Sequence, residues 1–153
     1  MKKKIFVTRR LLNENEEKLK DLFDVNLNNE DKIYSPQEII DGSKNYDGIL
    51  SSVSDPINAE TISKLSSSIK IIANGAVGFG NIDIKAAKEK GIIVTNTPDV
   101  LTDATADIQI LLLLGASRKA YEGRLAAETQ SWKWSWDFLL GKQMSNKKLG
   151  ILG

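Results

Sequence analysis

Short β-branched runs alternate along this chain with stretches whose apolar positions recur every three or four residues, the periods of strand and helix respectively. Ile5-Phe6-Val7-Thr8 predicts a first strand. Glu14 to Phe23 predicts a helix with Leu19, Leu22 and Phe23 on one face, and Asp24-Val25-Asn26-Leu27 a second, weaker strand. Ser35-Pro36-Gln37-Glu38 places a Ser N-cap, a Pro at the first helical position and a Glu three residues after the cap, which predicts a short helix to about Asp41. Gly48-Ile49-Leu50-Ser51 reads as strand three, Asn58 to Leu65 as a helix, and Ile69-Lys70-Ile71-Ile72-Ala73 as strand four. Asp83 caps a further helix that Gly91 stops after Lys90, and Ile92-Ile93-Val94-Thr95 is strand five. Five strands separated by helices imply parallel pairing through right-handed crossovers. The expected fold is α/β, a flavodoxin-like doubly wound parallel sheet.

The pattern changes after Asn96-Thr97-Pro98. From Asp103 to about Gly123 a long helix is expected in which Ile108, Ile110 and Leu111 to Leu114 are apolar nearly all round, so it must be buried on several sides. Residues 131–140 carry Trp132, Trp134 and Trp136 at alternate positions without a clean period: a strand with one aromatic face, a core cluster and an interface arm all remain open. Lys148-Leu149-Gly150-Ile151-Leu152-Gly153 has a strand pattern. An α/β domain does not close on a lone uncovered parallel strand, so the expectation is a truncated chain, the alternative being an edge strand added to the first sheet.

Composition narrows the chemistry. The chain has 153 residues, 41% hydrophobic and 27% charged, with 21 basic and 20 acidic side chains for a net charge of +1, which implies an ordinary globular protein and no polyanionic partner. Lys2-Lys3-Lys4 lacks the aromatic or Arg company of a nucleic-acid patch and reads as a solvated terminus. Cys is absent, which excludes disulfides and fits a reducing cytoplasm. His is absent too, so the chain holds no Ser-His-Asp triad and no His-based metal centre. Val7-Thr8-Arg9-Arg10 interrupts the basic start where a signal peptide would need sustained apolar residues.

The segment Asn74-Gly75-Ala76-Val77-Gly78-Phe79-Gly80-Asn81-Ile82-Asp83 lies between a strand and a helix, where open α/β sheets bind ligands. Its G-x-x-G-x-G spacing is neither the dinucleotide fingerprint nor a P-loop. What it offers is a backbone able to turn N–H groups toward an anion near a helix start, which suits a carboxylate. A ligand-free glycine turn is the alternative on local grounds.

That loop, the run from Gly91 through Thr95-Asn96-Thr97-Pro98-Asp99-Val100-Leu101-Thr102-Asp103-Ala104-Thr105-Ala106-Asp107, the segment Trp132 to Gly141, and Lys148 to Gly153 together resemble the D-2-hydroxyacid dehydrogenase family. The run from Thr95 to Asp107 is the most specific part and points to the glyoxylate/hydroxypyruvate reductase branch. The resemblance implies that residues 1–98 are the amino-terminal part of a substrate domain. It also implies that residues 99–153 comprise an interdomain helix, a dimer arm and the start of a Rossmann domain. By the same resemblance the backbone amides of Val77 and Gly78 hold the substrate carboxylate, with Ala76 beside them among the substrate-binding residues and Ser52 and Val53 lining the cleft. Thr102 is placed near the nicotinamide, although a Thr capping the long helix explains it locally. Gly153 is matched to the first glycine of the fingerprint that cradles the pyrophosphate of NAD or NADP. Trp134, with Trp136 next, is matched to the aromatic residue that reaches a neighbour's cleft in a homodimer formed through 103–140.

The family's catalytic Arg, Glu and His have no counterpart here, so no catalytic residue is assigned. Phe79-Gly80 also departs from the usual pattern, in which Asp takes the second place. The activity implied is reduction of a small 2-oxo acid, glyoxylate or hydroxypyruvate, to the 2-hydroxy acid with NAD(P)H, and the 153-residue chain is expected to be inactive alone. Within the family, 3-phosphoglycerate dehydrogenase and a non-enzymatic corepressor are the alternatives. More remote is a flavodoxin-like signalling module, whose paired acidic residues at the end of strand one are replaced by Thr8-Arg9-Arg10.

Overall fold

The computed structural model describes residues 1–152. The chain divides into two compact units, one spanning Met1–Asp99 and one from Val100 on. In the first, β1 (Lys4–Val7), β2 (Asp24–Asn26), β3 (Gly48–Ser51), β4 (Ile71–Asn74) and β5 (Ile93–Thr95) form one sheet in the order β2-β1-β3-β4-β5. Every pairing is parallel. The order reverses between β1 and β3, so the carboxyl ends of these strands open onto the crevice where such sheets bind ligands.

Register explains the core. Phe6, Ile49, Ile72 and Val94 stand opposite one another across four strands, so their side chains share one face. That face is buried under α2 (Pro36–Gly42), α3 (Ala59–Lys64) and α4 (Ile84–Glu89), which bring Ile39, Ile62 and Ala87 to it. The other face carries Ile5, Leu50, Ile71 and Ala73, only half-buried, beside Leu19 and Phe23 near the end of α1 (Asn13–Leu22). Leu22, expected to share that apolar face, is exposed instead, and Glu16 is the buried residue of α1 because its carboxylate accepts from the Leu11 N–H at 3.0 Å.

Local signals set the helix ends. Ser35 and Glu38 close a complete capping box on α2, and Asn58 and Asp83 cap α3 and α4 by accepting from the N–H of Thr61 and Ala86. Gly91 ends α4 with φ of 74°, a conformation that favours glycine. The Lys90 ammonium reaches back to the carbonyls of Ile62, Ser63 and Leu65 at 2.6–2.7 Å, closing the end of α3.

In the second unit the long helix expected to Gly123 is two helices, α5 (Thr102–Ser117) and α6 (Ala120–Glu128). The break is at Lys119, whose φ of 55° is left-handed. A non-local hydrogen bond lies beside it. The Lys142 N–H donates to the Ser117 carbonyl at 2.7 Å, and a Cβ on Gly141 would lie 2.6 Å from that oxygen, so only glycine admits this approach. α5 starts at Thr102 behind Leu101 with no side-chain cap, which removes the capping role for Thr102. Residues 131–140 form no strand, with a turn at 136–139: Trp134 meets Trp136 edge-on at 5.0 Å and Trp132 lies 6.1 Å from Phe138. Residues 148–152, expected as a strand and alternatively as an edge of the first sheet, take no strand pairing among the described residues. A parallel strand exists only through a neighbouring strand's backbone, and among the described residues no strand pairs with this segment.

Candidate functional site

The loops leaving β3 and β4 are drawn together at the carboxyl edge of the sheet. A two-strand bridge pairs Ile57 with Ile82, with Ile57 N–H donating to the Asn81 carbonyl at 2.9 Å and Asp83 N–H to the Ile57 carbonyl at 3.0 Å. The Asn81 amide adds two bonds, to the carbonyls of Ser52 at 2.9 Å and Asp55 at 3.1 Å. Asn74, buried at the end of β4, accepts from the Ser51 hydroxyl at 3.1 Å and donates to the Gly78 carbonyl at 2.9 Å and to Asn81 Oδ1 at 3.3 Å. Two asparagine side chains thus set the spacing of both loops.

Beneath the β3 loop lies Asp55, wholly buried. Its Oδ2 accepts from the Thr8 hydroxyl at 2.5 Å and the Ser52 N–H at 2.7 Å, while Oδ1 has no partner among the described residues. Ser52 and Ser54 share a hydroxyl bond of 2.8 Å, and Arg9 Nη1 donates to the Ser54 hydroxyl at 2.9 Å. The same guanidinium grips Asp31 with two bonds of 2.8 and 2.9 Å. That grip, and the Arg10 N–H after it, hold the Asp31 carboxyl well below the usual carboxylate range. A fixed positive charge therefore sits two hydrogen bonds from Ser52.

Of the residues expected to form the site, Ser52, Val53, Ala76, Val77 and Gly78 fall on these two tied loops. Ala76 is buried, Ser52 half-buried, and Val53, Val77 and Gly78 are exposed. No group among the described residues accepts from the N–H of Val53, Val77 or Gly78. A Cβ on Gly78 would meet nothing within 4 Å, so the space over the loop is open. The start of α4 is not the anion donor: the helix has only six residues, and the Asp83 carboxylate already accepts from the Ala86 N–H at 2.9 Å. Exposed loop amides carry whatever affinity for an anion the region has.

Thr102 and Trp134 belong to the second unit. Both are exposed, and no group among the described residues bonds the Thr102 hydroxyl. Gly153 lies outside the described residues. Among the described residues no cluster of potential metal ligands occurs and no helix is long and apolar enough to cross a membrane. Sequence reasoning missed Thr8 and Asp55, and gave Asn74 and Asn81 no role beyond membership of the loop. The Ser52-Val53-Ser54-Asp55 spacing was a usable signal, because a Ser followed three residues later by Asp invites the turn in which Asp55 accepts from the Ser52 N–H.

Residues 5–132 match the family model for D-isomer specific 2-hydroxyacid dehydrogenase, catalytic domain. The chain is 37% identical over 155 residues to a glyoxylate reductase of Korarchaeum cryptofilum, covering 100% of this chain and 46% of the relative. It is 37% identical to a glycerate dehydrogenase of Hyphomicrobium methylovorum, covering 99% of this chain and 48% of that one. Among solved structures, a D-isomer specific 2-hydroxyacid dehydrogenase, NAD-binding, from Polaromonas sp. superposes with a TM-score of 0.86 at 36% identity, over 95% of this chain and 46% of that one. The chain spans about half the length of the curated relatives it matches.

Proposed function

Because this chain belongs to the D-isomer specific 2-hydroxyacid dehydrogenase family, we propose that its protein reduces a small 2-oxo acid, glyoxylate or hydroxypyruvate, to the corresponding 2-hydroxy acid with NADH or NADPH. The observation that carries the reading is the set of unengaged N–H groups on Val53, Val77 and Gly78, on two loops locked together at the carboxyl edge of the sheet. A carboxylate accepting from several fixed N–H groups is held by charge-assisted bonds without the reorganisation cost a mobile loop would incur. In this reading Val77 and Gly78 hold the carboxylate, while Ser52 and Val53 line the cleft beside the 2-oxo group. The cofactor, when bound, supplies hydride to the carbonyl carbon. Thr102 is assigned to the nicotinamide side and Gly153 to the pyrophosphate. The chain has no His, so no His of residues 1–153 protonates the nascent alkoxide.

The exposed apolar residues Ile108, Ile110, Leu111, Leu112 and Leu114 of α5 support a homodimer through 103–140. Trp134, with 66% of its surface exposed, is the side chain assigned to the neighbour's cleft. The absence of Cys agrees with a cytoplasmic setting.

Gly78→Val in the full-length protein tests the reading. Its Cβ meets open space, so the variant is expected to fold as the parent does while its branched side chain stands over the amides. The expected result is a KM for glyoxylate raised about tenfold or more, equivalent to losing one or two good hydrogen bonds, with the KM for the cofactor unchanged. An unchanged KM for glyoxylate in the folded variant would reduce the loop to a turn.

A further inference from the structure

The segment that follows β5 sits directly against the glycine loop. Two successive loop carbonyls point at it: the Ala76 carbonyl accepts from the Thr97 N–H at 2.9 Å, and the Val77 carbonyl accepts from the Asn96 side-chain amide at 2.8 Å. Every peptide bond among the described residues is trans, so within each planar unit the C=O and the following N–H point in opposite directions. Tying the Ala76 carbonyl therefore aims the Val77 N–H away from the β5 extension, and tying the Val77 carbonyl does the same for the Gly78 N–H. Two successive peptides whose carbonyls are tied on one side turn their N–H groups to the other, where both can donate to one anion. The Gly78 carbonyl is held separately, by the Asn74 side-chain amide at 2.9 Å.

The two ties differ in kind. Thr97 acts through its main chain, which side-chain replacement does not remove. Asn96 acts through its side chain alone, from a half-buried position nineteen residues along the chain from Val77. No other side chain among the described residues donates to the Val77 carbonyl. Without that donor the peptide between Val77 and Gly78 can rotate, because Gly78 permits conformations closed to other residues and no atom stands within 4 Å of where its Cβ would be.

We infer that Asn96 is a positioning residue for substrate binding: its amide, by holding the Val77 carbonyl, presets the Gly78 N–H toward the carboxylate of the 2-oxo acid. The inference rests on the proposed role of the loop and adds to it a residue that never touches the substrate. Its effect is on pre-organisation, so it falls on substrate affinity and spares the chemical step and the cofactor.

The test compares Asn96→Leu and Asn96→Ala with Gly78→Val in the full-length protein. Steady-state kinetics with glyoxylate and saturating NADH or NADPH are paired with the inhibition constant of oxalate, a non-reacting dianion that reads binding without turnover. Asn96→Leu keeps the side-chain size and removes the donor; Asn96→Ala serves if the leucine disturbs folding. The expected result is a KM for glyoxylate and an inhibition constant for oxalate both raised about five- to tenfold, the value of one net hydrogen bond, with kcat and the cofactor KM within about twofold of the parent. If Gly78→Val weakens oxalate while neither Asn96 variant does, Asn96 is not a positioning residue and the loop's role survives. If none of the three variants alters oxalate binding, the loop does not hold the carboxylate and both readings fall together. A fall in kcat at unchanged KM in the Asn96 variants would equally overturn the inference.

Discussion

Asn81→Ala is the most informative perturbation of the scaffold. The side chain donates to the carbonyls of Ser52 at 2.9 Å and Asp55 at 3.1 Å, and accepts from Asn74 at a longer 3.3 Å. Each of the two shorter bonds contributes about 1 kcal/mol net, and the third is too long to add much. Alanine therefore costs about 2 kcal/mol, with little cavity term because Asn81 is only half-buried. In a unit the size of Met1–Asp99 each kcal/mol displaces the midpoint by roughly 4–8 °C, so the expected loss is on the order of 10 °C. Thermal unfolding followed by far-ultraviolet circular dichroism reads this directly. Tryptophan fluorescence does not, because Trp132, Trp134 and Trp136 all lie in the second unit. Val53→Ala is the control: its side chain is 65% exposed, and its midpoint should stay within about 2 °C of the parent. An Asn81→Ala midpoint equally close to the parent would show that the two loops are not held by this amide, and the argument for rigid N–H groups would lose its foundation.

Acid sensitivity follows from two depressed carboxyls. The Arg9 guanidinium holds Asp31 well below its ordinary 3.8, and the Lys32 ammonium, followed by the Ser35 N–H and hydroxyl, lowers Glu38 from 4.5 to about 2. A carboxyl whose pKa is lower in the folded state adds stability that is complete above the unfolded value and is lost as the pH falls through the folded one. The urea midpoint should therefore hold steady above about pH 5 and decline below it, and Asp31→Asn should flatten that decline; an unaltered slope in the variant would remove the Arg9–Asp31 pair from the account. For assembly, sedimentation of the full-length protein at micromolar concentration should show a dimer, and a clean monomer would withdraw both the interface through 103–140 and the role assigned to Trp134.

The parts of this molecule legible in its sequence are those whose cause is local. Gly48–Ser51 is a strand over the residues its pattern predicts, and the Ser35–Glu38 spacing forms the capping box it encodes. Asn58 and Asp83 cap their helices in the same way. The helix break at Lys119 was not legible, because an all-round apolar run has no period to mark its end and the hydrogen bond beside it comes from the Lys142 N–H, far along the chain. At Leu149–Leu152 the first sheet gains no edge strand, because alternation can favour an extended backbone but cannot supply the neighbour that completes a parallel pair. At the site, the glycines announced a loop. The groups that stiffen it did not announce themselves, since Asn96 reaches Val77 across nineteen residues, Asn81 reaches Ser52 across twenty-nine, and Thr8 reaches Asp55 across forty-seven.

The most direct test of the central claim, that the amides after β4 hold the substrate's carboxylate, is an amide chemical-shift titration. Full-length protein labelled with 15N-valine and 15N-glycine would be titrated with oxalate, with sodium chloride at matched ionic strength as the reference. The account predicts saturable shifts of the Val77 and Gly78 amides, a smaller one at Val53, and none at Val25, in edge strand β2, or at Gly48, the amino end of β3. Saturable shifts elsewhere with Val77 and Gly78 unmoved would contradict it.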